Sequence, residues 1–292
     1  MKEISLIIGE TASLPKEITE KFGMVFIPYI IEWKDGETLS GENIFQKMRE
    51  AEKKGIKTFP KTSQPSPWIF KRFFDEGLKR SETVLCITLS SKLSGGFNSA
   101  LQAREMLDKK EKERIFIIDS LNVTVGEGLV DLRVAELIQE GKKIGEVLEE
   151  LKKIIERTHL FGMLGDPKWT EAGGRLSHSL AVLLKQMQKI GMRPLIGLKE
   201  GELKPVALKM QAKDVPTALF KELEKETERL RRDGKKIRVA IGHADNQKEA
   251  EKLRELIERN LKRIEIAFLN LIDPVIGIHT GPDTLVCTWF EF

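Results

Sequence analysis

The sequence predicts a two-domain α/β protein: an N-terminal domain with a largely parallel sheet between helical layers, followed by a smaller C-terminal α/β domain. Three observations lead there. Short apolar runs alternate with helix-like stretches through the first half of the chain. Those runs are apolar throughout, not at every second residue, as strands buried on both faces require. The length of 292 residues suits one large or two ordinary domains. We place the domains at residues 1–157 and 158–292.

The elements follow in order. ISLIIG at 4–9 is a strand ending in Gly9, and in the next segment Ser13 is the expected N-cap and Gly23 the C-cap of a helix. MVFIPYIIEW at 24–33 reads as extended and KDGE as a turn, with a loop from Thr38 entering a helix that stops at Gly55. TSQPSP interrupts the chain at 62–67, where Ser66 is a good N-cap and Pro67 a good first helical residue. Ile69, Phe70, Phe73, Phe74 and Leu78 then recur at helical spacing. VLCITL at 84–89 is a strand, followed by a Ser/Gly loop and a helix with Phe97, Ala100, Leu101 and Leu107 on one face. RIFIIDS at 114–120 is another strand, and two helices follow around Val134 and Leu151.

In the second half THLFGML at 158–164 is extended and 166–179 a polar connection. Leu180, Leu183, Leu184, Met187 and Ile190 form a helix face. RPLIGL and LKPVAL flank KEGE, a hairpin signal, and an amphipathic helix spans about 215–232. KIRVAIGHA, a helix from about 247 and RIEIAFLNLI make a β-α-β unit, and 275–292 closes the chain as loop then strand.

Composition narrows the function classes. With 49 basic and 45 acidic residues the net charge is +4, too balanced to predict nucleic-acid binding. Charged residues make up 32%, an excess of Lys, Arg and Glu that leans toward an ion-pair-rich, heat-adapted surface. Cys86 and Cys287 sit in apolar strand-like runs and are expected to be buried, reduced thiols, and no Cys/His cluster points to a metal. The N-terminus lacks the apolar core of a signal peptide, and no run approaches the ~18 apolar residues of a membrane span. The expectation is a soluble, cytoplasmic protein with no transmembrane segment.

Four short motifs carry chemistry. SSKLSGGFNSA at 90–100 joins a strand to a helix: Gly95 and Gly96 admit a ligand close to the backbone, Ser90, Ser91 and Ser94 add hydroxyls, and the helix N-terminus favours an anion. It matches neither GxxxxGK[ST] nor GxGxxG, so an oxyanion fits better than a nucleotide. TSQPS at 62–66 offers the Thr62 and Ser63 hydroxyls in a Pro-stiffened loop. AGGRLS at 172–177 presents Arg175, whose guanidinium suits carboxylate or phosphate. IHTGPDT at 278–284 places His279 before a Gly-Pro turn. Each is also compatible with local structure alone: a tight turn for the Ser/Gly loop, an internally paired Arg175, and, as the favoured reading of TSQPS and His279 taken singly, a helix entry and a structural His.

Taken together and in this order, the four resemble the DegV family over nearly the whole chain. The family's TSqPS, SSxLSGT, GGRIS and HxGPG stand here as Thr62-Ser63-Gln64-Pro65-Ser66, Ser90-Ser91-Lys92-Leu93-Ser94-Gly95-Gly96, Gly173-Gly174-Arg175-Leu176-Ser177 and His279-Thr280-Gly281-Pro282-Asp283. GETASLP at the start is similar to the family's DSTADLP. The chain departs at Gly9-Glu10, where the family has Asp-Ser; at Gly96, where it has Thr; and at Asp283, where it has Gly and which sets a carboxylate beside the expected anion site.

The resemblance implies a carrier that binds a long-chain, palmitate-like fatty acid, with the acyl tail buried between the domains and the carboxylate held by hydroxyls and loop amides. It implies a role in lipid transport or fatty acid metabolism, and a possible partner, an ATP-dependent fatty acid kinase to which the bound carboxylate is presented. By position, Thr62 and Ser94 are the first choices for hydrogen bonds to the carboxylate, with Gly95 and Ser63 beside them and Arg175 and His279 for charge balance. It implies no catalytic residue, metal or cofactor in this chain, the fatty acid being a ligand. The alternative is a phosphotransferase or hydrolase acting on a small anionic substrate with Ser94 and His279, although no GxSxG, HExxH or orienting acid accompanies them.

Overall fold

A computed structural model describes residues 2–190, 192–210 and 214–292. In chain order its elements are β1 (Lys2–Gly9), α1 (Lys16–Phe22), β2 (Val25–Ile27), β3 (Ile30–Glu32), α2 (Ile44–Lys53), β4 (Lys61–Ser63), α3 (Pro67–Arg80), β5 (Ser81–Thr88), α4 (Gly96–Glu105), α5 (Lys109–Lys112), β6 (Ile115–Asp119), α6 (Val125–Gln139) and α7 (Ile144–Arg157). They continue with β7 (His159–Met163), α8 (Lys168–Ala172), α9 (His178–Lys189), β8 (Met192–Lys199), β9 (Glu202–Met210), α10 (Val215–Arg232), β10 (Ile237–His243), α11 (Gln247–Asn260), β11 (Ile264–Leu271), α12 (Pro274–Thr280) and β12 (Leu285–Glu291). Met1–Ile30, Thr62–Thr158 and Glu200–Glu202 form one compact unit; Ile31–Lys61, His159–Lys199 and Leu203–Phe292 form a second.

The first unit is built on a four-stranded sheet of order β2-β1-β5-β6. All its pairs are parallel, with β1 and β5 in register from Lys2↔Ser81 to Ile8↔Ile87. The apolar runs are explained by cover on both faces. On one, Phe70, Phe74 and Leu78 of α3 and Ala100 and Ala103 of α4 pack against Ile7, Val84 and Cys86. On the other lies α6, packed against β1, α1 and α7 and buried almost all round. That burial takes two acids with it. Thr11 Oγ1 donates to Glu127 at 2.9 Å. Asp131 is fully buried, with neither carboxylate oxygen hydrogen-bonded, and burial holds its carboxyl well above its ordinary value.

The second unit holds a mixed six-stranded sheet of order β11-β10-β12-β7-β8-β9. β10-α11-β11 is a parallel crossover, as its sequence predicts, whereas β12 runs antiparallel between β10 and β7. Phe161, Leu219, Leu223, Ile241, Leu253 and Trp289 fill its core. KEGE makes the expected tight hairpin: Glu200 and Gly201 both have positive φ, 53° and 81°, as a two-residue turn of this hand demands.

Several expectations are corrected. The second unit is the larger one, and residues 31–61, expected in the first domain, belong to it. The reason lies in non-local contacts: α2 packs on α12, Asn43 Nδ2 donates to Asp245 at 2.9 Å, and Arg49 ion-pairs with both Asp245 and Asp283. Ser13 is not a helix N-cap; Pro15 precedes α1, and Ser13 Oγ bonds Thr124 Oγ1 at 2.9 Å instead. Residues 24–33 are two strands, interrupted at Pro28. The polar connection 166–179 contains α8, and the closing loop contains α12. On α9, Leu184 is buried but Leu183 and Ile190 are exposed. Both cysteines are free and buried. Among the described residues no helix is long and apolar enough to cross a membrane.

Asp131 generates a prediction. A carboxyl whose folded value is raised binds a proton that the unfolded chain releases above pH 3.8, so it destabilises the fold as pH rises from there. The unfolding free energy of Asp131→Asn relative to the unaltered chain should therefore increase between about pH 4 and 8 in denaturant titrations; a flat difference would exclude the raised value.

Candidate functional site

In the first unit the site grows from the junction of β5 and α4. The strand ends at Thr88 and the chain enters a single helical turn, in which Leu93 N–H and Ser94 N–H both donate to the Ser90 carbonyl, at 2.9 and 3.1 Å. Ser91 N–H donates to the Asp119 carboxylate at the end of β6, tying the loop to the neighbouring strand. Ser90 is not a ligand group: it is fully buried, and its hydroxyl donates to the Gly201 carbonyl at 2.8 Å. Ser94 is partly exposed, and its Oγ accepts from Gly96 N–H at 3.2 Å. The N-cap of α4 is Gly95, which has no side chain, so apart from the Gly96 N–H taken by Ser94 its first-turn amides remain available to an anion.

The TSQPS segment meets this loop. A Cβ on Gly95 would lie 2.9 Å from Gln64 Nε2, so the two motifs are in contact and the glycine makes the close approach possible. Thr62 is half-buried on β4 and Ser63 exposed beside it. Ser66 caps α3 as expected, accepting from Ile69 N–H at 3.4 Å.

The sequence reading missed Tyr29. Its backbone N–H donates to Glu10 Oε1 at 2.5 Å, and its phenol lies beside Ser94: a Cβ on Gly96 would sit 2.7 Å from the phenol oxygen and 3.6 Å from Ser94 Oγ. Burial, and then the charge of Glu127, push the phenol well above its ordinary value, so it stays protonated. Glu10, the residue at the first departure, is half-buried, and burial raises its carboxyl.

In the second unit the other two motifs come together. His279 lies in the last turn of α12, not in a loop, and is buried. A Cβ on Gly173 would sit 2.1 Å from His279 Nδ1, so the GGR turn closes on the imidazole only because residue 173 has no side chain. Arg175 is half-buried and its Nη1 donates to the Gly173 carbonyl. Burial, and then the nearby positive charge of Arg175, depress His279 to about 4. At neutral pH the imidazole is therefore uncharged, and positive charge rests on Arg175. Asp283 does not send a free carboxylate toward this cluster: its Oδ1 accepts from Arg49 Nη2 at 2.8 Å. Its φ of 65° is the left-handed geometry that glycine would take at that place. Among the described residues no group of His, Cys, Asp and Glu is arranged to hold a metal.

Comparison with known proteins gives a consistent family. The model of the DegV family of uncharacterised proteins matches residues 3–291. A fatty acid-binding protein of Thermotoga maritima is 29% identical over 97% of this chain and 96% of its own. The solved structure of a DegV family protein from Thermus thermophilus, described by its fatty acid binding, superposes with a TM-score of 0.84 at 26% identity, covering 99% of this chain and 100% of that one. A stearic acid-binding protein from Eubacterium ventriosum shares the fold, with a TM-score of 0.83 at 21% identity over 100% of this chain and 98% of its own.

The His279–Gly173 contact is testable in the ligand-free protein. Below the ordinary value of 6.5 the unfolded chain takes up a proton that the folded imidazole refuses until about 4, so His279 makes the fold lose stability as pH falls across that window. The displacement is worth about 3 kcal/mol. His159 and His243 are depressed in the same direction, so the diagnostic is the difference between His279→Gln and the unaltered chain, which should grow in the variant's favour as pH drops. Gly173→Ala should cost about 1–3 kcal/mol by overpacking the ring, read as a lowered melting temperature.

Proposed function

The chain belongs to the DegV family, and from that premise we propose that it binds a long-chain fatty acid as a carrier without chemistry of its own. Ser94, Thr62 and the α4 first-turn amides that follow Gly95-Gly96 take the carboxylate, with Ser63 at the rim; Arg175 and His279 are the second-unit residues of the proposal, one cationic and one neutral. The observation that carries the reading is the contact of two hydroxyl-bearing loops at a helix N-terminus whose N-cap, Gly95, has no side chain. A carboxylate taken from water is costly unless several donors meet it, and that is what hydroxyls and amides at one place supply. The tail supplies affinity: at ~0.8 kcal/mol per buried methylene, about fifteen carbons contribute roughly 12 kcal/mol, against an association cost of at least ~4 kcal/mol. The fatty acid-binding relatives support the ligand class. The finer reading, in which the chain moves lipid in the cell or presents the carboxylate to an ATP-dependent fatty acid kinase, rests on the family resemblance.

The test is direct. Protein purified, extracted with organic solvent and analysed by mass spectrometry should release fatty acids of about fourteen to eighteen carbons, long enough for that affinity. Thr62→Ala and Ser94→Ala should each weaken palmitate binding about tenfold or more without lowering thermal stability, since a hydrogen bond to a charged group is worth roughly 1.5–3 kcal/mol. Equal affinity in both variants would remove the head-group assignment. Absence of lipid, together with esterase or phosphatase activity lost in Ser94→Ala, would favour the enzyme reading.

A further inference from the structure

Two departures from the family pattern meet at one residue. The pattern has a threonine where this chain has Gly96. A Cβ built on Gly96 would lie 2.7 Å from the Tyr29 hydroxyl and 3.6 Å from Ser94 Oγ. The space a side chain at 96 would need is therefore filled by the phenol of Tyr29, the one tyrosine in the chain. The phenol is held there from behind: Glu10, at the other departure, accepts the Tyr29 backbone N–H.

The hydrogen-bond arithmetic at Ser94 gives this phenol a task. A serine hydroxyl has one proton to donate and two lone pairs that accept. One lone pair of Ser94 takes Gly96 N–H. The phenol, raised by burial so that it remains protonated, lies beside the same hydroxyl across the space at residue 96. We propose that Tyr29 is a positioning residue for the head-group serine: its O–H donates to the second lone pair of Ser94, which leaves the serine proton to be given to a ligand carboxylate. On this view Tyr29 replaces the hydroxyl-bearing side chain absent at 96, and the two are mutually exclusive occupants of one space. The inference rests on the fatty-acid reading of the site.

Palmitate binding, measured by calorimetry on full-length protein stripped of lipid, separates the two. If the unaltered chain fails to bind palmitate, the site reading falls and this inference with it. If it binds, Tyr29→Phe should weaken binding about tenfold, the loss of one hydrogen bond in a charge-assisted network, with a melting temperature close to the parent's. Gly96→Thr alone should weaken it as much or more, because Tyr29 occupies the space. Tyr29→Leu combined with Gly96→Thr should recover most of the affinity, which a merely structural role would not produce. In a Ser94→Ala background Tyr29→Phe should have no further effect, since the phenol acts through that serine. Unchanged affinity in Tyr29→Phe, or additive losses in the pair with Ser94→Ala, would overturn the proposal while leaving the fatty-acid reading in place.

Discussion

An anion leaving water needs donors that are already in place and have no other employment, and the β5–α4 junction of the first unit shows how few of those a loop retains. The parallel sheet delivers β5 to the start of a helix, as strand ends in such folds do. The intervening turn consumes its own polar groups. Leu93 and Ser94 amides close on the Ser90 carbonyl, the Ser91 amide is held by Asp119, and the Ser90 hydroxyl is locked to Gly201. What the turn does not consume is Ser94's proton and the first-turn amides of α4 beyond Gly96. A loop that looks rich in donors in sequence is thus frugal in three dimensions, and its chemistry narrows to a single hydroxyl at the mouth of a helix.

The elements that were legible in the sequence are those whose residues act locally. Ser66-Pro67 starts α3, Gly23 and Gly55 take the positive φ that ends α1 and follows α2, and Glu200-Gly201 turns a hairpin, each through backbone chemistry that needs no distant partner. The failures share the opposite character. Ser13 has a good cap's side chain, but spends it on Thr124, 111 residues away. The helix of residues 44–53 is amphipathic, yet nothing local states that its apolar face answers α12 and not β1. α12 is masked by Gly277 and by the Gly-Pro that follows it.

The candidate site divides in the same way. Thr62, Ser94, Gly95, Arg175 and His279 were nameable as candidates because the ordered motifs carry residue types with a stated chemistry. Tyr29 was not, because its partner is defined by a missing side chain at residue 96, and an absence in sequence does not say what fills it. Nor was the charge state of His279. Residue type alone allows an imidazolium, and only the burial and the Arg175 neighbour settle it as neutral.

That neutrality bears on what the second-unit cluster is built to do. A general base works best when its own value lies near the operating pH, so that it is both unprotonated and willing to take a proton. An imidazole depressed to about 4 is unprotonated at pH 7 but a poor proton acceptor, and the fixed positive charge of Arg175 beside it opposes the imidazolium that proton abstraction would create. Ser94 shows the complementary feature: its oxygen accepts the Gly96 amide, whereas a nucleophile needs that oxygen's electrons directed at substrate. Both features weigh against a serine–histidine pair for hydrolysis or transfer: the imidazole is a poor proton acceptor, and Arg175 beside it opposes its protonation.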